Sequence, residues 1–170
     1  LWEGYHENGQ LWDKGNYKYG EREGLWEYHD EEGNLKATEN YKDGKEDGLQ
    51  ELYNYNGKLK SKRNYKNGKK DGLHEEHYNN GQLESKGNYK DGYEDGPWDY
   101  YWFNGPLMSK ENYKNGKIDG LQELYNYNGK FRSEGNYKDG KAEGLREWYY
   151  ENGQLESKGN YKDGKVEGFW

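Results

Sequence analysis

The sequence predicts an all-β protein: tandem 24-residue β-hairpins laid side by side as an elongated, twisted, single-layer antiparallel meander. Three observations predict it. The dipeptide Asn-Tyr recurs at 16, 40, 64, 88, 112, 136 and 160, always 24 residues apart. Three glycine sets, beginning at Gly9, Gly20 and Gly24, keep the same step. Aromatic residues are 18% of the chain although only 29% of it is hydrophobic, which suits a thin sheet held by stacked rings better than a thick core. A constant unit length implies that every unit repeats one geometry and packs on its neighbours.

The units run 1–24, 25–48, 49–72, 73–96, 97–120, 121–144 and 145–168, followed by two residues of an eighth. Residues 48–58 recur unchanged at 120–130, and 82–92 at 154–164. Both repeats are 72 residues apart, so a block of three units reads as duplicated. The chain starts at Leu1 without a methionine and stops in mid-motif at Trp170, as a piece of a longer parent would.

Within a unit, a first strand covers about 25–31 and a second about 35–42. The Asn-Gly between strands (Glu32-Gly33 in the second unit) predicts a two-residue type I′ turn, which needs positive φ at both central residues. Asp43 to Gly48, an Asp-Gly followed by a further glycine, allows a second tight reversal into the next unit. Glycine at this density disfavours helix, at about 1 kcal/mol each relative to alanine. Two strands per unit at about 4.8 Å spacing advance roughly 10 Å.

Side chains alternate between faces along a strand. With a two-residue turn at Asn8-Gly9, Tyr5 faces Trp12 and His6 faces Leu11. One face then collects Leu11, Leu35, Leu59, Leu83, Leu107, Phe131 and Leu155. The tyrosine ladder joins it: Tyr17, Tyr41, Tyr65, Tyr89, Tyr113, Tyr137 and Tyr161. So do Trp26, Tyr28, Trp98, Tyr100, Trp102, Trp148 and Tyr150, the candidate partner-binding residues. Trp and Tyr are the residues enriched at binding hot spots. The tryptophans also vary between units, Gln50, His74, Gln122 and Arg146 standing at the place of Trp26. The opposite face takes Leu25 and Tyr5 with their equivalents. Rows of Glu27, Glu51, Glu75, Glu123 and Glu147 beside Lys14, Lys62, Lys86, Lys110 and Lys158 predict charge ladders of small individual worth.

Composition excludes several classes. Charged residues are 35% of the chain, a profile that usually means disorder, but the aromatic content and a net charge of only −7 oppose it. Cysteine is absent, so disulfides and thiolate metal sites are excluded. No apolar run approaches the roughly 20 residues of a membrane-spanning helix. Every serine (61, 85, 109, 133, 157) occupies one repeat position, a structural choice rather than a nucleophile. His74 and His77 point to opposite faces and cannot share an ion, while Lys-Asp-Gly-Lys turns oppose calcium. No catalytic residue, metal or cofactor is expected. A net acidic chain with interspersed signs lacks the basic groove that nucleic acid needs and is ill suited to anionic membranes.

Gly144–Glu167, GLREWYYENGQLESKGNYKDGKVE, is the cleanest copy of a pattern that resembles the MORN-type repeat, in the bacterial variant labelled YwqK-family antitoxin. The resemblance spans the whole chain. It implies β-hairpin modules that mediate protein–protein contacts, with membrane association in some relatives, and no catalytic residues. The antitoxin label implies inhibition of a toxin by direct binding. Pro97 and Pro106 depart from the pattern, and proline belongs at edges, strand starts or bulges, so a local kink is expected there.

The sequence thus predicts a non-catalytic scaffold that binds another protein, in the manner of an antitoxin. The alternatives are a structural or adhesive segment of a cell-surface assembly, self-associating through its end strands, and a glycan-binding module. Cytoplasmic and cell-surface or extracellular locations are both open.

Overall fold

The computed structural model describes residues 1–167; Gly168 and the two residues of the eighth unit, Phe169 and Trp170, lie outside the described residues. By contact the chain divides after Gln82 into two halves. In the N-terminal half the strands are β1 (Trp2–Tyr5), β2 (Leu11–Lys18), β3 (Glu21–His29), β4 (Leu35–Lys42), β5 (Lys45–Glu46), β6 (Gly48–Tyr53), β7 (Leu59–Lys66) and β8 (Lys69–His77). In the C-terminal half they are β9 (Leu83–Lys90), β10 (Tyr93–Glu94), β11 (Gly96–Tyr101), β12 (Leu107–Lys114), β13 (Lys117–Ile118), β14 (Gly120–Tyr125), β15 (Phe131–Lys138), β16 (Lys141–Tyr149), β17 (Leu155–Lys162) and β18 (Lys165–Glu167). Pairing within each half is antiparallel and follows chain order, except that the short strands β5, β10 and β13 each share their partner with the strand that follows, so that β4 also pairs β6, β9 pairs β11 and β12 pairs β14. No helix occurs among the described residues. This is the all-β hairpin meander that the period predicts.

The two reversals exchange the roles the sequence suggests. At the Asn-Gly turns only the glycine takes positive φ, as at Gly9 (85°). Gly9 N–H donates to the His6 carbonyl (2.9 Å) and His6 N–H to the Gln10 carbonyl (2.8 Å), a type I turn followed by a left-handed glycine. The type I′ turn lies instead at the unit links, where Asp43 (48°) and Gly44 (73°) are both positive and Lys42 pairs with Lys45.

The longer Asn-Gly turn changes the register. Gly4 pairs with Asp13, but Tyr5 pairs with Leu11, leaving Trp12 as a bulged residue. The same shift recurs where His29 meets Leu35 and Tyr125 meets Phe131. A bulge moves the residue beyond it to the other face. The Leu11 row therefore leaves the tyrosine ladder and joins the Tyr5 row: Phe131 lies 5.6 Å from Tyr125 and 5.3 Å from Tyr149, ring centre to ring centre. The shared face expected for the Leu11 row and Trp26 is thereby corrected.

On the ladder face the chain builds its core from position 2 of each unit (Trp26, Gln50, His74, Trp98, Gln122, Arg146) and the tyrosines. Trp26 is fully buried, set edge-on between Tyr17 (5.0 Å) and Tyr41 (6.5 Å) and stacked on Tyr28 (6.4 Å). Arg22 covers it, the guanidinium carbon 4.6 Å from the ring centre. Room for the indole comes from Gly15, where a Cβ would stand 2.3 Å from Trp26 Cδ2. Gly87 serves Trp98 in the same way, and Gly135 serves Arg146. Where position 2 is glutamine, the residue at the place of Gly15 is a glutamate that bonds it: Gln50 Nε2 donates to Glu39 Oε1 (2.8 Å) and Gln122 Nε2 to Glu111 Oε1 (3.0 Å). Ser61, Ser85, Ser109 and Ser133 are buried, Ser61 and Ser109 opposite Leu52 and Tyr100, and the equivalent Asp13 and Ala37 are buried as well.

Neither proline kinks its hairpin. β11 and β12 pair in the register of β14 and β15. Pro97 is the second residue of β11, opposite Asn112, and the Pro106 carbonyl accepts the Trp102 N–H (2.8 Å) as its counterparts do. Only a turn bond from N–H at this place to the turn asparagine, present at Lys130 (3.0 Å to Asn128 Oδ1), is forgone at Pro106.

Candidate interaction surface

The seven sequence-nominated residues do not form one stripe. Trp26 and Trp98 are core: their exposures are 0% and 4%. Tyr28 and Tyr100 stack on them (Trp98 to Tyr100, 5.9 Å) and are half-buried. Burial, then the bond with Tyr41, pushes the Tyr28 phenol up; burial and the bond to Glu111 do the same at Tyr113. These hydroxyls stay neutral hydrogen-bonding groups across the physiological range. Trp148 is half-buried, 6.2 Å from Tyr161 and covered by Arg146 at 5.2 Å. Trp102 and Tyr150 stand elsewhere, in the Asn-Gly turns, because their positions fall beyond the last paired residue of the first strand. Their expected place beside Trp98 is corrected on that ground.

The tyrosine ladder does line one face, alternating with position 2: Trp98 lies 5.3 Å from Tyr89 and 6.1 Å from Tyr113. Its asparagine neighbour is structural too, since Asn40 Nδ2 donates to the Leu49 carbonyl (2.6 Å) and closes the unit link. The opposite face carries the charge ladder, with Lys14 on Glu27 at 2.9 Å and Lys62 on Glu51 at 3.7 Å.

Sequence reasoning named Trp102 and Tyr150 but missed the turn rim they belong to, and with it Tyr55, Phe103 and Tyr127. Tyr55 is 78% exposed, Phe103 and Tyr127 55%, and Tyr150 51%. All lie in the Asn-Gly turns. In the C-terminal half the rim runs Trp102-Phe103-Asn104, Asn126-Tyr127-Asn128, Tyr150-Glu151-Asn152. It is held rigidly. Asn104 Nδ2 donates to the Tyr127 carbonyl (3.2 Å) and Trp102 Nε1 to the Tyr125 carbonyl (3.3 Å). Trp102 and Tyr127 meet edge to face at 5.7 Å. Lys130 Nζ turns back onto the Glu151 carbonyl (3.0 Å). A shallow pocket beside this rim is lined by Lys130, Phe131, Tyr149, Glu151, Asn152 and Gly153. The signal that could have found it was the segment Tyr-Asn-Tyr-Asn-Gly, where aromatics sit inside a turn rather than in a strand.

The opposite rim, at the type I′ turns, is tied unit to unit by backbone: Gly44 N–H donates to Arg22 (3.1 Å) and Gly140 N–H to Ile118 (2.8 Å). Carboxylates receive the next turn's N–H, as from Asp43 to Glu23 Oε2 (3.1 Å). Among the described residues no three His, Cys, Asp or Glu groups converge as metal ligands would.

These features define a tandem β-hairpin repeat protein with two structured rims and an aromatic face. The chain matches the MORN repeat variant over residues 1–19, 22–43, 46–67, 70–91, 94–115, 118–139 and 142–163, and it belongs to that family. MORN repeats are non-catalytic modules that generally bind proteins or membranes. No curated protein matches the chain at a comparable level.

Proposed function

We propose that this chain is a non-catalytic scaffold that binds another protein through the Asn-Gly turn rim of its C-terminal half. The observation that carries the reading is the rim itself: exposed Tyr127 and Tyr150 beside Trp102, on turns bonded to one another. Tyr, Trp, Asn and Gly are the residues that binding loops favour, because aromatics give large contact area at low entropic cost and amides give adaptable hydrogen bonds. The identities at these positions change from unit to unit while the backbone does not, which suits a surface whose specificity is set by sequence. Tyr100 and Trp148 add a second, flatter contact on the sheet face of the C-terminal half, and Tyr28 holds the equivalent place in the N-terminal half, while Trp26 and Trp98 act through packing. Neutralisation of a toxin by occlusion, as the resemblance to the antitoxin-labelled repeats implies, is the specific form we propose for this function.

The test is capture from a native lysate on the immobilised chain, beside a Tyr127→Ala, Tyr150→Ala variant verified as folded by circular dichroism. One stoichiometric protein, lost with the variant, is expected. No captured protein, or equal recovery on both, overturns the proposal.

A further inference from the structure

We infer that the same rim takes a proline-rich segment in the polyproline II conformation; this rests on the protein-binding reading above. The first reason is pitch. Equivalent turns are two strands apart, about 9.6 Å at a strand spacing of about 4.8 Å. A polyproline II helix repeats every three residues at about 3.1 Å each, or about 9.3 Å. Every third residue of such a ligand therefore meets an equivalent place on successive turns, and the mismatch over the two steps from Trp102 to Tyr150 is only about 0.6 Å.

The second reason is chemistry. A polyproline II backbone makes no internal hydrogen bonds, so its carbonyls seek donors, and its pyrrolidine rings seek aromatic walls. The Trp102–Tyr127 pair, held at 5.7 Å and edge to face, supplies one such wall, and Tyr150 the next. Among the described residues no hydrogen bond engages Tyr127 Oη, Tyr150 Oη or Asn128 Nδ2, and all three residues are exposed. The third reason is charge. In the turns that begin at Trp102, Asn126 and Tyr150 the only acidic or basic side chains are Lys130 and Glu151, and Lys130 is turned back onto the Glu151 backbone. The rim therefore suits a ligand without net charge rather than a phosphorylated or acidic one.

The experiment is fluorescence anisotropy of a labelled ten-residue oligoproline titrated with the whole chain, beside a Gly-Ser peptide of equal length. Saturable binding of oligoproline alone is expected, weakened at least tenfold by Tyr127→Ala and by Trp102→Ala. Tyr55→Ala, an exposed turn residue of the N-terminal half, leaves it unchanged. Tyr127 is exposed, so its variant keeps the test decisive should Trp102→Ala misfold. No saturation up to about 1 mM, a standard free energy of about −4 kcal/mol, overturns the inference. So does equal binding of the Gly-Ser peptide or undiminished binding by Tyr127→Ala. A protein captured on the chain but not displaced by oligoproline leaves the scaffold reading standing and removes this one.

Discussion

Replacing Gly15 by alanine tests the packing of the core directly. The added Cβ would stand 2.3 Å from Trp26 Cδ2 and Cε2 and 2.6 Å from Cγ. Favourable carbon contacts lie at about 3.5–4.0 Å, so the ring must move by more than an ångström. It has nowhere to go, being wedged among Tyr17, Tyr28, Tyr41 and Arg22. Overpacking of this kind costs about 1–3 kcal/mol. Gly15 is not among the positive-φ glycines, so alanine would otherwise gain about 0.5–1 kcal/mol by restricting the unfolded chain. The net expectation is a loss of about 1–2 kcal/mol, or about 2–8 °C in Tm for a chain of this size. The assay is urea and thermal unfolding followed by far-ultraviolet circular dichroism. A second arm checks the cause. Gly15→Glu combined with Trp26→Gln recreates the Glu39–Gln50 arrangement, so the double variant should lose at least about 1 kcal/mol less than the sum of the two single changes. Unchanged or raised stability in Gly15→Ala, or simple additivity in the double variant, would refute the reasoning.

Two further predictions concern strain and charge. Tyr19 holds φ of 53° at a type I′ position filled elsewhere by Asp or Asn, with its ring 97% exposed; Tyr19→Asn should stabilise by about 0.5–1 kcal/mol, because asparagine tolerates the left-handed region, and an unchanged or lower Tm would count against it. Burial, and then the Glu39 carboxylate, hold the Glu46 carboxyl above its ordinary value against the pull of Arg63. A raised carboxyl costs the folded state stability once ionised in both states, and that cost disappears as pH falls through the folded value to the unfolded one. Glu46→Gln should therefore be more stable than the parent at pH 7, with the difference closing near pH 4; a constant difference across that window would contradict the assignment.

The fold was legible because each unit states it again. Twenty-four residues from Asn-Tyr to Asn-Tyr, without insertion, leave little besides a stack of hairpins. The register was not legible. Asn-Gly and Asp-Gly are both type I′ signals, and only the bonds from Gly9 to His6 and from His6 to Gln10 reveal that the former belongs to a longer turn. One residue of difference there sends Trp12 into a bulge and the Leu11 row to the other face. The surface was half legible for a related reason. Aromatic side chains announce contact area, but nothing in the letters separates Trp26, sealed between two tyrosines, from Tyr127, standing in a turn. The glycine at 15 and the tryptophan at 26 were both plain to see. Their dependence on each other needed the strand pairing.

That dependence places a rule on inheritance. A position-2 side chain is accommodated by the residue eleven places before it, so the compatible pair straddles the boundary between units. Losing residues 73–96 by unequal crossing-over would bring Trp98 over Arg63 instead of Gly87, where the indole has no room. Losing three units at once, from 25 to 96, would bring it over Gly15 and preserve the fit. Gly15 with Trp26 and Glu39 with Gln50 reappear unchanged as Gly87 with Trp98 and Glu111 with Gln122. From Gly15 to Gln122 the segment that can be copied or lost with every pair preserved is therefore 72 residues rather than 24; the next pair, Gly135 with Arg146, no longer repeats Arg63 with His74.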